Sequence, residues 1–341
     1  MLVSKAGRNG SFFLVFILMT GLVVAGIDGD GAAMANPFEI KLASESAVGT
    51  PGEKSGRDFA KLVEEKTSGK VKVRYYPAGQ LGTGDALTEA MQTGSVDMAW
   101  RVLDWYAKFE KGWNIMLLGF LFKDGDHVTA FLNSSKHKEF RENLTSKAGI
   151  RILSDNGIGS PRVLISKTPV RSPNDMQGMK MRVPNIEMYV KTWSGVGVNV
   201  VQVPWGEAYM ALKQGVVDAL ESPLGSIYGM KFHEAAKNIT LTNHVYSIYV
   251  MAMNENSYKK IPSDIQKIMA DCADEGGRLY VKYDKESVDA RVKTMVSQGV
   301  KIIDNPDIDA FQKKLAPLAE ELEKKGLWPS GLYGYIQSLK R

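Results

Sequence analysis

Residues 180–185 read KMRVPN, and the arginine in that stretch is the residue best equipped for chemistry. Met181 and Val183 form the apolar half of a short buried strand, and Pro184 then removes a backbone donor and stops the ladder. Arg182 is therefore a guanidinium held at a strand end, where an unpaired charge is costly. Its planar fork presents parallel N–H donors, a shape suited to holding an anion rather than to making bonds. The spacing alone leaves its partner open.

Motifs that would signal a reaction are incomplete. HEAAK (233–237) has the first His and Glu of a zinc-protease helix, but Lys237 stands where the second ligand must be. GTPGEKS (49–55) lacks the Gly-Lys step of a phosphate loop, because Glu53 intervenes. GVGVNV (195–200) has Val at the third glycine position of a dinucleotide fingerprint and leads into a strand rather than a helix. No G-x-S-x-G elbow occurs. The reading is a binding protein, not an enzyme, with no metal and no cofactor.

The elements around Arg182 follow an alternating plan. FEIKLAS (38–44), VKVRYYP (71–77) and VDMAW (96–100) read as strands, with helices over 51–69 and 84–94 between them. After Gly149 the pattern restarts with IRILSDNGIGS, RVLISKTPV, MKMRVP, VNVVQV and VVDALE, expected as strands separated by short helices. Such alternation predicts an α/β fold with a mainly parallel sheet. One long helical region is expected over 262–299, bent at Gly276-Gly277, and an amphipathic helix over 307–326, interrupted at Pro317.

An internal echo divides the chain. AMQTGSVD (90–97) and ALKQGVVD (211–218) both end a helix on Gly and run through Val-Asp into a strand. Two similar lobes explain the repeat, and they place Trp100-Arg101 and Glu221-Ser222 at equivalent strand ends. Ligands of open α/β sheets bind beyond such ends, so both pairs are expected at a cleft between lobes.

Composition limits the alternatives. With 43 basic and 38 acidic residues the net charge is +5, and Lys and Glu interleave along the helical stretches, so no nucleic-acid stripe is formed. Lys5, Arg8 and the apolar run FFLVFILMTGLVVA (12–25) lead to Ala33-Met34-Ala35, the pattern of a signal peptide cleaved after Ala35. The run is short for a bilayer span, which takes roughly 20 residues. Residues 36 onward are expected to be soluble and extracytoplasmic. Cys272 is a single cysteine within a helical stretch and reads as a small core residue.

From Arg162 onward the chain resembles the solute-binding proteins of tripartite ATP-independent periplasmic (TRAP) transporters. The resemblance rests on PRVLISKTPVRSPNDMQGMKMRVPN, VQVPWGEAYMALKQGVVDALESP and FHEAAKNITLTNH, and extends to YYPAGQLG and MQTGSVDMAW. It implies a two-lobed, type II-like periplasmic-binding-protein fold with the ligand in the inter-lobe cleft and a long helix spanning both lobes. The expected lobes are 36–159 with about 248–287, and 160–247 with about 288–326, followed by a C-terminal helix over 327–341. It further implies capture of a small organic acid and its delivery, by a monomer that closes about a hinge, to the small and large TRAP membrane subunits. A sensor subunit, or a periplasmic enzyme acting on an organic acid, is the alternative.

By the same resemblance Arg182 grips the ligand's carboxylate in a two-pronged salt bridge. A structural pair with Glu207 is the competing account of that charge. Arg162 matches a second arginine near the ligand, Asn185 follows the RVP at the cleft, and Trp205 takes the place of an aromatic wall. The chain departs from its relatives at Ser222, where many carry Asn, and at Glu45, where a neutral polar residue is common. Trp100, Arg101 and Glu45 complete the expected site from the other lobe, with a mutual Glu45–Arg101 salt bridge as the alternative for those two charges.

Overall fold

A computed structural model describes residues 37–339. The leader expected over 1–35 lies outside the described residues. Ten strands are present: β1 Phe38–Ala43, β2 Val71–Tyr76, β3 Met98–Val102, β4 Ile150–Ser166, β5 Lys180–Val183, β6 Asn199–Gln202, β7 Ala219–Pro223, β8 Asn238–Thr240, β9 Tyr246–Asn254 and β10 Lys301–Ile303. They follow the order β2-β1-β3-β9-β4-β7-β5-β6, with β8 joining β4 and β10 joining β8.

Two half-sheets repeat one plan. In the first, β2, β1 and β3 run parallel and β9 closes the group antiparallel to β3. In the second, β6, β5 and β7 run parallel and β4 closes the group antiparallel to β7. The sequence echo marks the same junction in each. The helix Gly84–Thr93 ends on Gly94 at φ 77°, and the helix Ala208–Gln214 ends on Gly215 at φ 80°, a left-handed turn that glycine makes without steric cost. The Asp of each Val-Asp then ties the junction to the neighbouring strand. Asp97 accepts the Lys41 N–H on β1 at 2.9 Å, and Asp218 accepts the Lys180 N–H on β5 at 3.0 Å.

Two expectations are corrected, those for 150–166 and for Pro317. Residues 150–166 form a single strand rather than two strands parted by a helix. Its first part pairs with β9 through several register shifts and its last part with β7 and β8, so β4 passes through both lobes. Gly157 sits in the shifted region, where a Cβ would lie 2.7 Å from the Tyr249 carbonyl oxygen. The helix Ser263–Ser297 runs without interruption through Gly276-Gly277. Gly277 permits close approach to β4, since a Cβ there would fall 1.6 Å from Asn156 Oδ1, and Gly276 faces Phe59 of the helix Pro51–Lys66. Finally, the helix Ile308–Lys324 continues through Pro317. Pro317 is exposed, so water can take up the carbonyl it leaves free. The C-terminal helix is short, Leu332–Ser338.

Alternation along the strands feeds three cores. Leu42, Met98 and Trp100 pack with Phe59 and Met269 in the first lobe, and Val163, Ile165 and Leu220 pack with Leu212 and Phe232 in the second. Ala43, Ala99, Leu164 and Met181 contribute to a third core that is continuous across both lobes. The 35-residue helix touches β4, the helix Pro51–Lys66 and the helix Leu224–Gly229, and so braces the two halves together.

Candidate functional site

The carboxyl ends of the parallel strands converge on one cavity between the lobes, where the repeat places the paired segments. β3 supplies Trp100, Arg101 and Val102, β7 supplies Ser222 and Pro223, and β5 supplies Arg182 followed by Pro184. Glu45 arrives from the loop after β1, Arg162 from β4, and Ser247 and Tyr249 from β9. Trp205 and Tyr189 reach the same cavity from the second lobe.

Arg182 is 3% exposed and forms no salt bridge among the described residues. Its Nε donates to the Val203 carbonyl at 2.9 Å, which fixes the head while the rest of the guanidinium borders the cavity. The guanidinium carbon lies 5.5 Å from the centre of the Trp205 ring. Burial pulls its pKa down to about 10, against the raising effect of Glu221 nearby. It is still a cation at neutral pH, bordering the cavity, and no carboxylate among the described residues forms a salt bridge with it. Glu207, the structural partner proposed for it, is exposed and pairs with no arginine among the described residues. That expectation is corrected: the turn Trp205–Glu207 presents Trp205 to the cleft and leaves Glu207 in solvent, outside the cavity.

Arg162 lines the cavity but its fork is already occupied. Nε and Nη2 both meet the Glu221 carboxylate, the latter at 2.7 Å, and Nη1 donates to Ser247 Oγ at 2.8 Å. Burial alone would lower its pKa, but Glu221 overrides this and holds the guanidinium above its ordinary value. Glu221 is fully buried; burial would raise it, yet Arg162 outweighs the cost and brings it down to about 2. His244 Nε2 lies 3.2 Å from the same carboxylate, and burial keeps its pKa below the ordinary histidine value.

On the opposite wall, Arg101 Nη2 meets Glu45 Oε1 at 2.6 Å, and Arg101 also donates to Thr88 Oγ1 and the Gly84 carbonyl. The two charges that the sequence left as ligand contacts or a mutual bridge form the bridge and still border the cavity. Trp100 is fully buried, donates to Ser55 Oγ at 2.9 Å and packs against Tyr249 and Tyr280. It is a core residue whose edge reaches the cleft. Ser222 is buried at the cavity wall, in register with Val163. Asn185 is exposed and accepts the Gln202 amide at 2.9 Å, in a side recess beside Arg182 rather than in the main cavity.

Several cavity residues escaped the sequence reading, Asp104 and Tyr189 among them. Asp104 follows β3 in the turn Leu103–Tyr106, and Tyr189, in the helix Glu187–Val196, donates its hydroxyl to Asp104 Oδ2 at 2.9 Å. A single Asp in LDWY carries no spacing that marks it as part of a site, so no signal was available. Glu221 was legible only as the residue before Ser222, not as the partner that holds Arg162.

Residues 42–325 match the family model described as bacterial extracellular solute-binding protein, family 7. A solute-binding protein of Verminephrobacter eiseniae is 31% identical over 267 residues, 78% of this chain and 79% of that one. The 2,3-diketo-L-gulonate-binding periplasmic protein of Escherichia coli is 25% identical over 91% of this chain and 94% of its own. Among solved structures, a TRAP periplasmic solute-binding protein of Ochrobacterium anthropi with bound L-fuconate superposes with a TM-score of 0.82 at 28% identity, over 89% of this chain and 99% of that one. One from Chromohalobacter salexigens with bound D-glucuronate gives 0.83 at 26% identity, over 88% and 100%.

Proposed function

The chain belongs to family 7 of the bacterial extracellular solute-binding proteins, and on that premise we propose that it captures a small organic acid by its carboxylate and hands it to a TRAP-type membrane partner. The observation that carries this reading is Arg182: a buried guanidinium bordering the inter-lobe cavity that no carboxylate among the described residues meets in a salt bridge. A carboxylate ligand supplies the missing partner through two parallel charge-assisted bonds. Trp205 covers the guanidinium on one side and excludes water that would weaken them. The relatives with bound L-fuconate and D-glucuronate agree in ligand class.

Release and capture require the lobes to part. Their rims touch closely here: a Cβ on Gly229 would lie 2.5 Å from Thr50 Cγ2, and Arg291 donates both to the Gly225 carbonyl at 3.0 Å and to the Gly49 carbonyl at 3.1 Å. Such contacts are made and broken as a unit when a hinge moves, and a ligand touching both walls favours the closed arrangement. Small-angle scattering should give a smaller radius of gyration with saturating ligand than after its removal. Identical profiles would contradict closure.

The function itself is tested by mass spectrometry of the exported protein, as a single chain. Under native conditions it should carry a small carboxylic acid that is released on denaturation. The denatured chain should begin at Asn36, in accord with cleavage after Ala35. A neutral or cationic ligand would contradict the proposal, and a retained Met1 would contradict the cleavage.

A further inference from the structure

Two of the charge pairs at the cleft are complete without a ligand: Arg101 with Glu45, and Arg162 with Glu221. Among the described residues lining the cavity, one guanidinium and one carboxyl are left over, Arg182 and Asp104. Asp104 is 9% exposed, and its Oδ2 is taken by the Tyr189 hydroxyl. No hydrogen bond to the other oxygen, Oδ1, is formed by another residue among the described ones. That oxygen belongs to a residue lining the cavity and can accept a hydrogen bond from a molecule held there. Burial holds the group above its ordinary pKa, although Arg162 pulls the other way. Negative charge at this spot is therefore already disfavoured, and a second anion beside it would be more so.

We propose that Asp104 sets the specificity of the site: its open oxygen takes a hydrogen bond from a hydroxyl of the ligand and turns away a second carboxylate. The inference rests on the reading of Arg182 as the carboxylate holder. Together the two residues define the ligand class as a hydroxylated monocarboxylate. A dicarboxylate would bring its second charge to a cavity whose other two arginines are already neutralised, leaving that charge desolvated beside Asp104. An ammonium group fits less well than a hydroxyl, because it would lie in the same cavity as Arg182, a cation with no carboxylate partner among the described residues. A hydroxyl carries no charge, can donate to Asp104, and can accept from the serine hydroxyls of Ser222, Ser226 or Ser247, which line the same cavity.

Calorimetric titration with acids matched in length separates these classes. The four-carbon set is D-erythronate, butyrate and succinate; the six-carbon set is L-fuconate, hexanoate and adipate. In at least one set the wild-type protein should bind the hydroxylated acid ten-fold or more tightly than both partners of equal length. Asp104→Asn, which keeps the shape and replaces one acceptor by a donor, should reduce the preference over the dicarboxylate ten-fold or more. An unchanged preference in Asp104→Asn overturns the proposal, as does a wild-type protein that favours the dicarboxylate or the plain acid, or that binds none of the six. If Asp104→Asn fails to fold, the wild-type series decides alone. Failure of the underlying reading looks different: Arg182→Ala would then bind every acid as tightly as wild type.

Discussion

Arg182→Ala binds the ligand hundreds to thousands of times more weakly than wild type, while the empty protein melts at nearly the same temperature. The two halves of this expected result have one cause. With ligand bound, the alanine leaves a carboxylate desolvated in a closed cleft without its counter-charge, which costs about 3–5 kcal/mol. Without ligand there is little to lose, because Arg182 forms no salt bridge among the described residues and anchors only to the Val203 carbonyl. Relieving a buried cation of its desolvation offsets the lost hydrogen bond. Arg182→Lys retains charge and discards the fork, so one charge-assisted bond is lost, about 1.5–3 kcal/mol, or roughly ten- to a hundred-fold in affinity. Titration calorimetry paired with melting curves reads both quantities. Wild-type affinity in the lysine variant would rule out two-pronged binding. A collapse of the empty alanine variant would instead make Arg182 a structural residue.

Glu221→Ala should show the opposite division, with the main damage in the empty protein. Glu221 is fully buried and is the counter-charge for Arg162 and the neighbour of His244. Truncating one member of a buried pair strands the other, at about 3–5 kcal/mol, so the melting temperature should fall by on the order of 10 °C. The double variant Arg162→Met with Glu221→Leu should recover much of that loss, because it strands no charge. The pH dependence has a definite sign. The folded pKa of Glu221, about 2, lies below that of an unfolded glutamate, so its contribution is full at neutral pH and is lost as pH falls through the folded value. Wild type and Glu221→Ala should therefore converge in stability between about pH 4.3 and pH 2, the lower bound being the folded value. Parallel melting curves at pH 7, 4 and 2.5 check this, and a gap that stays constant with pH would contradict the assignment.

Much of this architecture was legible because local chemistry and overall fold agree. The two helix–Gly–Val–Asp junctions were readable from a left-handed glycine and a strand start. Their equivalence proved deeper than the letters, since Asp97 and Asp218 tie corresponding strands in the same way. β4 was misread because Gly157, Gly159 and Pro161 are breakers in isolation, whereas here they sit where the strand shifts register against β9. Pro317 was misread for a related reason: an exposed helix face tolerates a missing hydrogen bond that a buried one would not.

At the site, residues at strand ends were found and residues known only through their partners were not. Arg182 and Ser222 follow from the β5 and β7 ends, and Trp205 follows from the family resemblance. The capture of Arg162 by Glu221, and the pairing of Asp104 with Tyr189, join segments far apart in the chain, and no spacing encodes them. Glu207 was offered as a competing structural partner for Arg182, and its side chain lies exposed outside the cavity.

The central claim is that Arg182 meets a ligand carboxylate in this cleft. A crystal structure of the protein with its bound acid tests it most directly. One carboxylate should accept hydrogen bonds from two nitrogens of the Arg182 guanidinium, with Trp205 alongside and the Arg162–Glu221 pair intact. A ligand whose carboxylate lies instead on Arg101 or Arg162, with the Glu45 or Glu221 bridge opened to receive it, would contradict the claim.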